Sequence, residues 1–212
     1  IKEILESSDS LAPDFVPLIR ARMTEINSES VQERVYPEER GSWLANREAN
    51  LSFAKKMNPN NKIIDGAWWE ENYDGSPLVS IEESAADDMG VKIGDDLTFL
   101  IAGEKITAKI SSIREVDWNS FSPNFFLVFS ERALESFPAS FISSMYIEEG
   151  DTGVLRELQI NYPTVSVVDL DPILEQVRQI IEKISIAIQI VFLFTLIAGV
   201  TVLFSAVHST ID

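Results

Sequence analysis

From Ile184 to Val207 the chain carries no charged side chain, and no other feature limits its fold so severely. As a helix rising ~1.5 Å per residue this segment reaches ~36 Å, enough to cross a hydrocarbon core of ~30 Å. Ser185, Gln189, Thr195, Thr201 and Ser205 are scattered along it and form no water-facing stripe, unlike the polar face of a surface helix. Its C-terminal position and its length exclude a secretory leader. The expectation is an extramembrane domain that runs into one membrane-spanning helix.

Charge narrows what the rest of the chain can meet. Of 34 acidic and 17 basic residues only Asp212 lies beyond Lys183, so residues 1–183 carry 33 acidic and 17 basic groups, a net charge of −16. Such a surface repels nucleic acid and anionic headgroups, so no nucleic-acid partner is expected. Cysteine is absent, which excludes disulfides, thiolate metal sites and thiol catalysis within the chain. The chain starts at Ile1 inside a helical pattern reaching Ser7, without an initiator Met, and stops soon after the apolar run. A piece of a longer membrane protein is therefore expected, with a further span upstream of Ile1 and more beyond Asp212.

The part before the span is long enough for a core of its own and reads as a mixed α+β domain over residues 1–170. Leu18 to Asn27 alternates as a strand entered through Pro13 and Pro17, with Leu18, Arg20, Arg22, Thr24 and Ile26 on one face and Ile19, Ala21 and Met23 on the other. Gln32 to Asn50 reads as a loop or short hairpin. Leu78 to Ile81 is a short strand leading into a helix that Ser80 or Glu82 starts and Gly90 stops. Leu97 to Ala102 and Lys105 to Ile113 pair through a Gly103-Glu104 turn. Phe125 to Ser130 and Ser143 to Glu148 form a second pair, a short helix follows a cap at Asp151 or Thr152, and Thr164 to Val168 is a last strand.

Asp171-Pro172 then opens a helix, with Asp171 as cap. Ile173, Val177, Ile180 and Ile181 recur at helical spacing through an amphipathic stalk, residues 171–183, and nothing interrupts the pattern before the apolar segment at residues 184–207. One rod is expected from Pro172 into the bilayer, with residues 208–212 beginning the loop past it. In mid-membrane, Gly199 removes a side chain from one face, where a sibling helix could pack closely.

Several stretches in this order resemble the FtsX-like permease family, the membrane subunits of MacB-type ABC transporters, in their YbbP-like branch. They are Arg20 to Asn27, Gly66-Ala-Trp-Trp69, Val79 to Asp95, Arg114-Glu-Val-Asp-Trp118 with its continuation to Phe126, and Asp169 to Val207. The resemblance implies a periplasmic core domain and the transmembrane helix that follows it, at a bacterial inner membrane with residues 1–183 extracytoplasmic. It also implies no catalytic site and no cofactor in this chain, a separate cytoplasmic ABC ATPase subunit as partner, membrane lipids around the span, and a second permease copy or homologue. The family's work is to move or extract lipids, lipoproteins or peptides. A ligand-sensing receptor ectodomain and a membrane-anchored hydrolase are the rival readings.

The residues offer no catalytic constellation of their own. His208 is the single histidine, sits at the membrane exit, and has no nucleophile at a recognisable spacing. The carboxylate pairs Glu38-Glu39, Glu70-Glu71, Glu82-Glu83, Asp87-Asp88 and Asp95-Asp96 are adjacent in sequence, so their side chains diverge and read as solvated surface. No metal-ligand spacing and no phosphate-cradling glycine loop occurs. There remains the aromatic loop Asp117 to Asn124, where Trp118 and Phe121 stand among Asn119, Ser120 and Ser122 as candidate contacts for a partner or substrate, against ordinary loop packing.

Overall fold

The computed structural model describes residues 15–120, 122–145, 156 and 160–209, and for 171 and 203–209 the backbone alone. Two compact units divide at residues 151 and 152, and each is described by itself. The first is mixed α+β, as expected.

Its strands are β1 (Val16–Ile26), β2 (Glu29–Ser30), β3 (Glu48–Phe53), β4 (Asn61–Gly66), β5 (Leu78–Glu82), β6 (Asp96–Ile101), β7 (Glu104–Val116), β8 (Leu127–Phe129) and β9 (Ser140–Ile142). Around them lie α1 (Glu39–Asn46), α2 (Glu83–Met89) and the single turn α3 (Glu131–Leu134). The ladders close on themselves. β1 pairs β3, β3 pairs β8, β8 pairs β5, β5 pairs β7, β7 pairs β6, and β6 returns to β1. β3–β8 and β5–β7 are parallel and the other four ladders antiparallel. Closure leaves the ring without an exposed edge, and β2, β4 and β9 add short outer pairings on β1 and β7.

Period-two patterning fills the ring. Ile19, Ala21 and Met23 are buried while Arg20 and Arg22 face water, and along β6 Leu97, Phe99 and Ile101 are buried with Leu100 exposed, although Thr98 is buried as well. Ile19, Leu51, Ile81, Leu97, Phe99 and Phe129 lose essentially all contact with solvent. Each stabilises the fold by ~1.5–3 kcal/mol relative to an exposed position. One expectation about β1 is corrected: Ile26 is fully buried, although simple alternation puts it with the exposed arginines. A register shift between Met23 and Glu25 inserts one residue against β6, and this bulge turns Ile26 back to the core.

Local signals place α2 well. The Glu82 carboxylate caps it by accepting from the Ala85 amide at 2.8 Å, and Gly90 ends it in the left-handed region at φ 63°. The hairpin before β7 differs by a residue from expectation: Ala102 and Gly103, both at positive φ, make the turn.

Three larger expectations fail. Residues 32–50 are no simple loop, since they contain α1 and the start of β3. Propensity misleads there because Gly41 sits inside the helix. That glycine is required by packing: a Cβ on it would collide with the backbone carbonyl of Asp88 in α2, so the two helices approach through a bare backbone. The pairing expected between Phe125–Ser130 and Ser143–Glu148 is replaced: β8 pairs β3 and β5, β9 pairs β1, residues 143–145 are outside any strand, and 146–148 fall outside the described residues. Residues 164–168 are turn and irregular backbone instead of a strand. The expected helix over Ile1 to Ser7 falls outside the described residues, as do Val154, Leu155 and Leu158 of the helix expected after residue 151. Arg156, Ile160 and Asn161 are helical.

The second unit is dominated by α4 (Asp171–Ser209), one uninterrupted helix in which the stalk and the apolar segment are a single element. The Leu170 carbonyl accepts from both the Ile173 and Leu174 amides, so Leu170 supplies the first acceptor and Asp171 is the first helical residue instead of the cap. Pro172, which has no N–H to place, fits this first turn. Pro172–Val202 is long and apolar enough to cross a membrane and none of it is buried within the chain.

Candidate functional site: an aromatic and cationic patch

The patch begins with a charge in the core. Arg114 is completely buried near the end of β7. Its guanidinium donates to the Ser80 carbonyl at 2.6 Å and to the Phe125 carbonyl. Burial lowers its pKa to about 10, a shift opposed by the Glu82 carboxylate, so it stays protonated at neutral pH. Glu82 is itself buried and committed to Ala85 and the Ser84 hydroxyl. A buried guanidinium is tolerated where its donors meet acceptors; here Nη1 and Nη2 meet backbone carbonyls, and the buried Nε–H has no partner among the described residues.

Those bonds fix the return of the loop between β7 and β8. With the Phe125 carbonyl held by Arg114, the next carbonyl, Phe126, accepts from the Glu82 amide at 2.9 Å. Phe125 is buried and Phe126 half-buried at the surface. The loop itself is tightened by Asp117, whose carboxylate accepts from the Asn119 amide and whose carbonyl accepts from the Ser120 hydroxyl. Trp118 then lies against Phe126, ring centroids 4.9 Å apart and planes at 47°, with 49% of its surface exposed.

α1 brings the other half. Trp43 is 56% exposed, and Arg47, one turn later, lies over its ring with Cζ 4.1 Å from the centroid. The same Cζ is 5.8 Å from the Phe126 centroid, and Arg40 approaches that ring at 6.0 Å. Each such cation–π contact is worth about 0.5–1 kcal/mol at an exposed site. The two arginines differ in charge balance. Arg40 is paired with Asp88 at 2.7 Å and also donates to the Ser84 hydroxyl. Arg47 has no carboxylate partner and no side-chain hydrogen bond among the described residues. Trp43, Arg47, Phe126 and Trp118 thus form a continuous chain of ring contacts from α1 to the β7–β8 loop.

Of the residues singled out in the sequence, Trp118 takes part in this cluster and Phe121 lies outside the described residues. Ile173, Val177, Ile180 and Ile181 are exposed along α4, and a Cβ at Gly199 would meet nothing within 4 Å. Trp43 and Arg47 are missed by sequence reasoning because their segment reads as loop. The signal that finds them is an aromatic and an arginine four residues apart, one in the last turn of a helix and the other at its C-cap.

A polar cleft of about 230 Å³ lies beside Trp69, Tyr73 and α3. Its charges are largely matched within the chain, Lys55 with Glu131 at 3.1 Å and Arg132 with Asp74 at 3.8 Å. Among the described residues no group of three or more His, Asp or Glu is placed to hold a metal ion.

No family model matches the chain. Over 208 residues, 98% of its length, the chain is 33% identical to the uncharacterized ABC transporter permease YbbP of Escherichia coli (strain K12). It spans 24% of that protein's length. A crystal structure of a domain of a candidate permease protein from Porphyromonas gingivalis superposes on 79% of the chain and 76% of that domain, with 13% identity and a TM-score of 0.35.

Proposed function

We propose that this chain, a relative of an ABC transporter permease along nearly its whole length, is the part of such a permease that stands outside the membrane and continues into one of its spans. In this reading residues 1–183 are extracytoplasmic at a bacterial inner membrane, and the segment from Ile184 crosses it. ATP is hydrolysed by a separate cytoplasmic subunit, and the permease converts that cycle into movement that displaces or extracts a lipid, lipoprotein or peptide. The chain-long identity carries the assignment. The continuity of α4 supports the coupling, because a helix without a break resists bending where a flexible linker would absorb motion.

In this role Ile173, Val177, Ile180 and Ile181 would be the stalk's packing stripe toward neighbouring permease elements, and Gly199 a point of close approach between membrane helices. The test is made in the full-length permease with its ATPase. Inserting two glycines within residues 171–183 should leave assembly intact and abolish the dependence of ATP hydrolysis on the extracytoplasmic cargo. Undiminished coupling would sink the stalk's role, and failure of the permease to co-purify with any ATPase subunit would sink the assignment itself.

A further inference from the structure

We propose that the Trp43–Arg47–Phe126–Trp118 patch is a docking surface for an acidic segment of a partner protein, an extended peptide in which a carboxylate stands between apolar side chains. This goes beyond the permease assignment and does not depend on ATP coupling, since it rests only on the surface of the strand-bearing unit.

Arg47 supplies the charge argument. Two neighbouring arginines are already matched: Arg40 to Asp88 at 2.7 Å, and Arg20 at 4.0 Å to Glu48, the residue after Arg47. Arg47 instead lies on rings that use the face of its guanidinium and leave its N–H groups free among the described residues. A planar fork with free donors, held by aromatic faces, is complementary to a single carboxylate bound through two oxygens. Exposed tryptophans and an arginine are also the residue types that dominate binding energy at protein interfaces. Trp43 and Trp118 are each about half exposed at the two ends of the cluster, so apolar side chains on either side of the carboxylate would have rings to cover.

A lipid surface fits less well. A bilayer presents an array of headgroups and is bound through several cations at once. Here the patch holds a single guanidinium unmatched among the described residues, on a protein of net charge −17, and Arg40 is held by Asp88. The surrounding negative field opposes every anionic ligand, and a single carboxylate seated on Arg47 meets less of that repulsion than an array of anionic headgroups.

The test uses the full chain in phosphatidylcholine nanodiscs and a fluorescent, doubly blocked peptide of sequence Leu-Phe-Glu-Leu-Phe, followed by anisotropy. Saturable binding is expected, weakened about tenfold or more when the peptide's Glu is replaced by Gln, since a charge-assisted hydrogen bond is lost. Arg47→Gln should cost a similar factor and Arg47→Lys less, because an ammonium keeps the charge without the fork. Trp118→Ala should also weaken binding, while Arg22→Gln, on the β1 surface, should not. Far-UV circular dichroism of each variant separates lost binding from lost fold, and Arg47→Lys keeps the result readable if Arg47→Gln unfolds. Absence of saturable binding, equal binding of the Glu and Gln peptides, or an affinity that Arg47→Gln leaves unchanged would each overturn the proposal. So would Arg47-dependent binding of phosphatidylglycerol vesicles in place of the peptide, which would make the occupant a lipid.

Discussion

At the residue scale the protein turns on arginines used in two opposite ways. Arg114 is hidden, its charge spent on two carbonyls that shape the β7–β8 return, while its buried Nε–H has no partner among the described residues. Arg47 is half-exposed, stacked, and unmatched among the described residues. Replacing Arg114 by Met should destabilise the fold by about 2–4 kcal/mol, because the Ser80 and Phe125 carbonyls lose buried donors and Glu82 loses its opposite charge. Chemical denaturation measures the loss. Trp118 emission should shift in the folded state of the same variant, since the return that holds Phe126 against it is no longer anchored. An unshifted spectrum would mean that the loop is held by Asp117 alone. Trp118 is legible in the sequence because it stands among polar loop residues. Arg114 is visible there only as part of a motif, since one charged residue on an alternating strand carries no mark of full burial.

Among elements, the sequence is most informative where structure is decided locally. α2 has its cap in Glu82 and its stop in Gly90, and α4 announces itself by an unbroken apolar periodicity. α1 is the opposite case. Its N-cap, Glu38, gives no side-chain cap bond, and it holds Gly41, so its propensity is poor. Its existence is decided by the fit of that glycine against α2. Gly41→Ala should therefore cost about 1–3 kcal/mol of stability through overpacking, although alanine is the better helix former. A stabilised variant in thermal denaturation would show that the helices can move apart. The bulge in β1 is of the same kind: alternation reads correctly up to Met23, and only the pairing with β6 reveals the extra residue that buries Ile26. Half of the docking patch is hidden for the same reason, because a loop or hairpin reading of residues 32–50 removes the helix that carries Trp43 and ends at its C-cap Arg47.

For the molecule as a whole, the composition divides sharply between an acidic, ring-closed unit and an apolar helix. A chain ending at residue 170 should be soluble without detergent and keep its β-type circular dichroism, while the full chain should require detergent or lipid. Aggregation of the shorter chain would show that the strand-bearing unit depends on residues 171–212. The ring's pairing also sets how it answers a mechanical load. The polypeptide enters on β1 and its last described strand is β9, and Val16 pairs with Ile142 while Leu18 pairs with Ser140. Entry and exit therefore leave the same end of one antiparallel ladder. Drawn apart sideways, the two chain segments would unzip that ladder pair by pair, each rupture needing only the force of one rung. Drawn together along the strand, they would load its rungs in concert with the β1–β3 and β1–β6 ladders, and the ring would travel as a body. Direction of pull, more than its strength, decides whether this unit yields or moves.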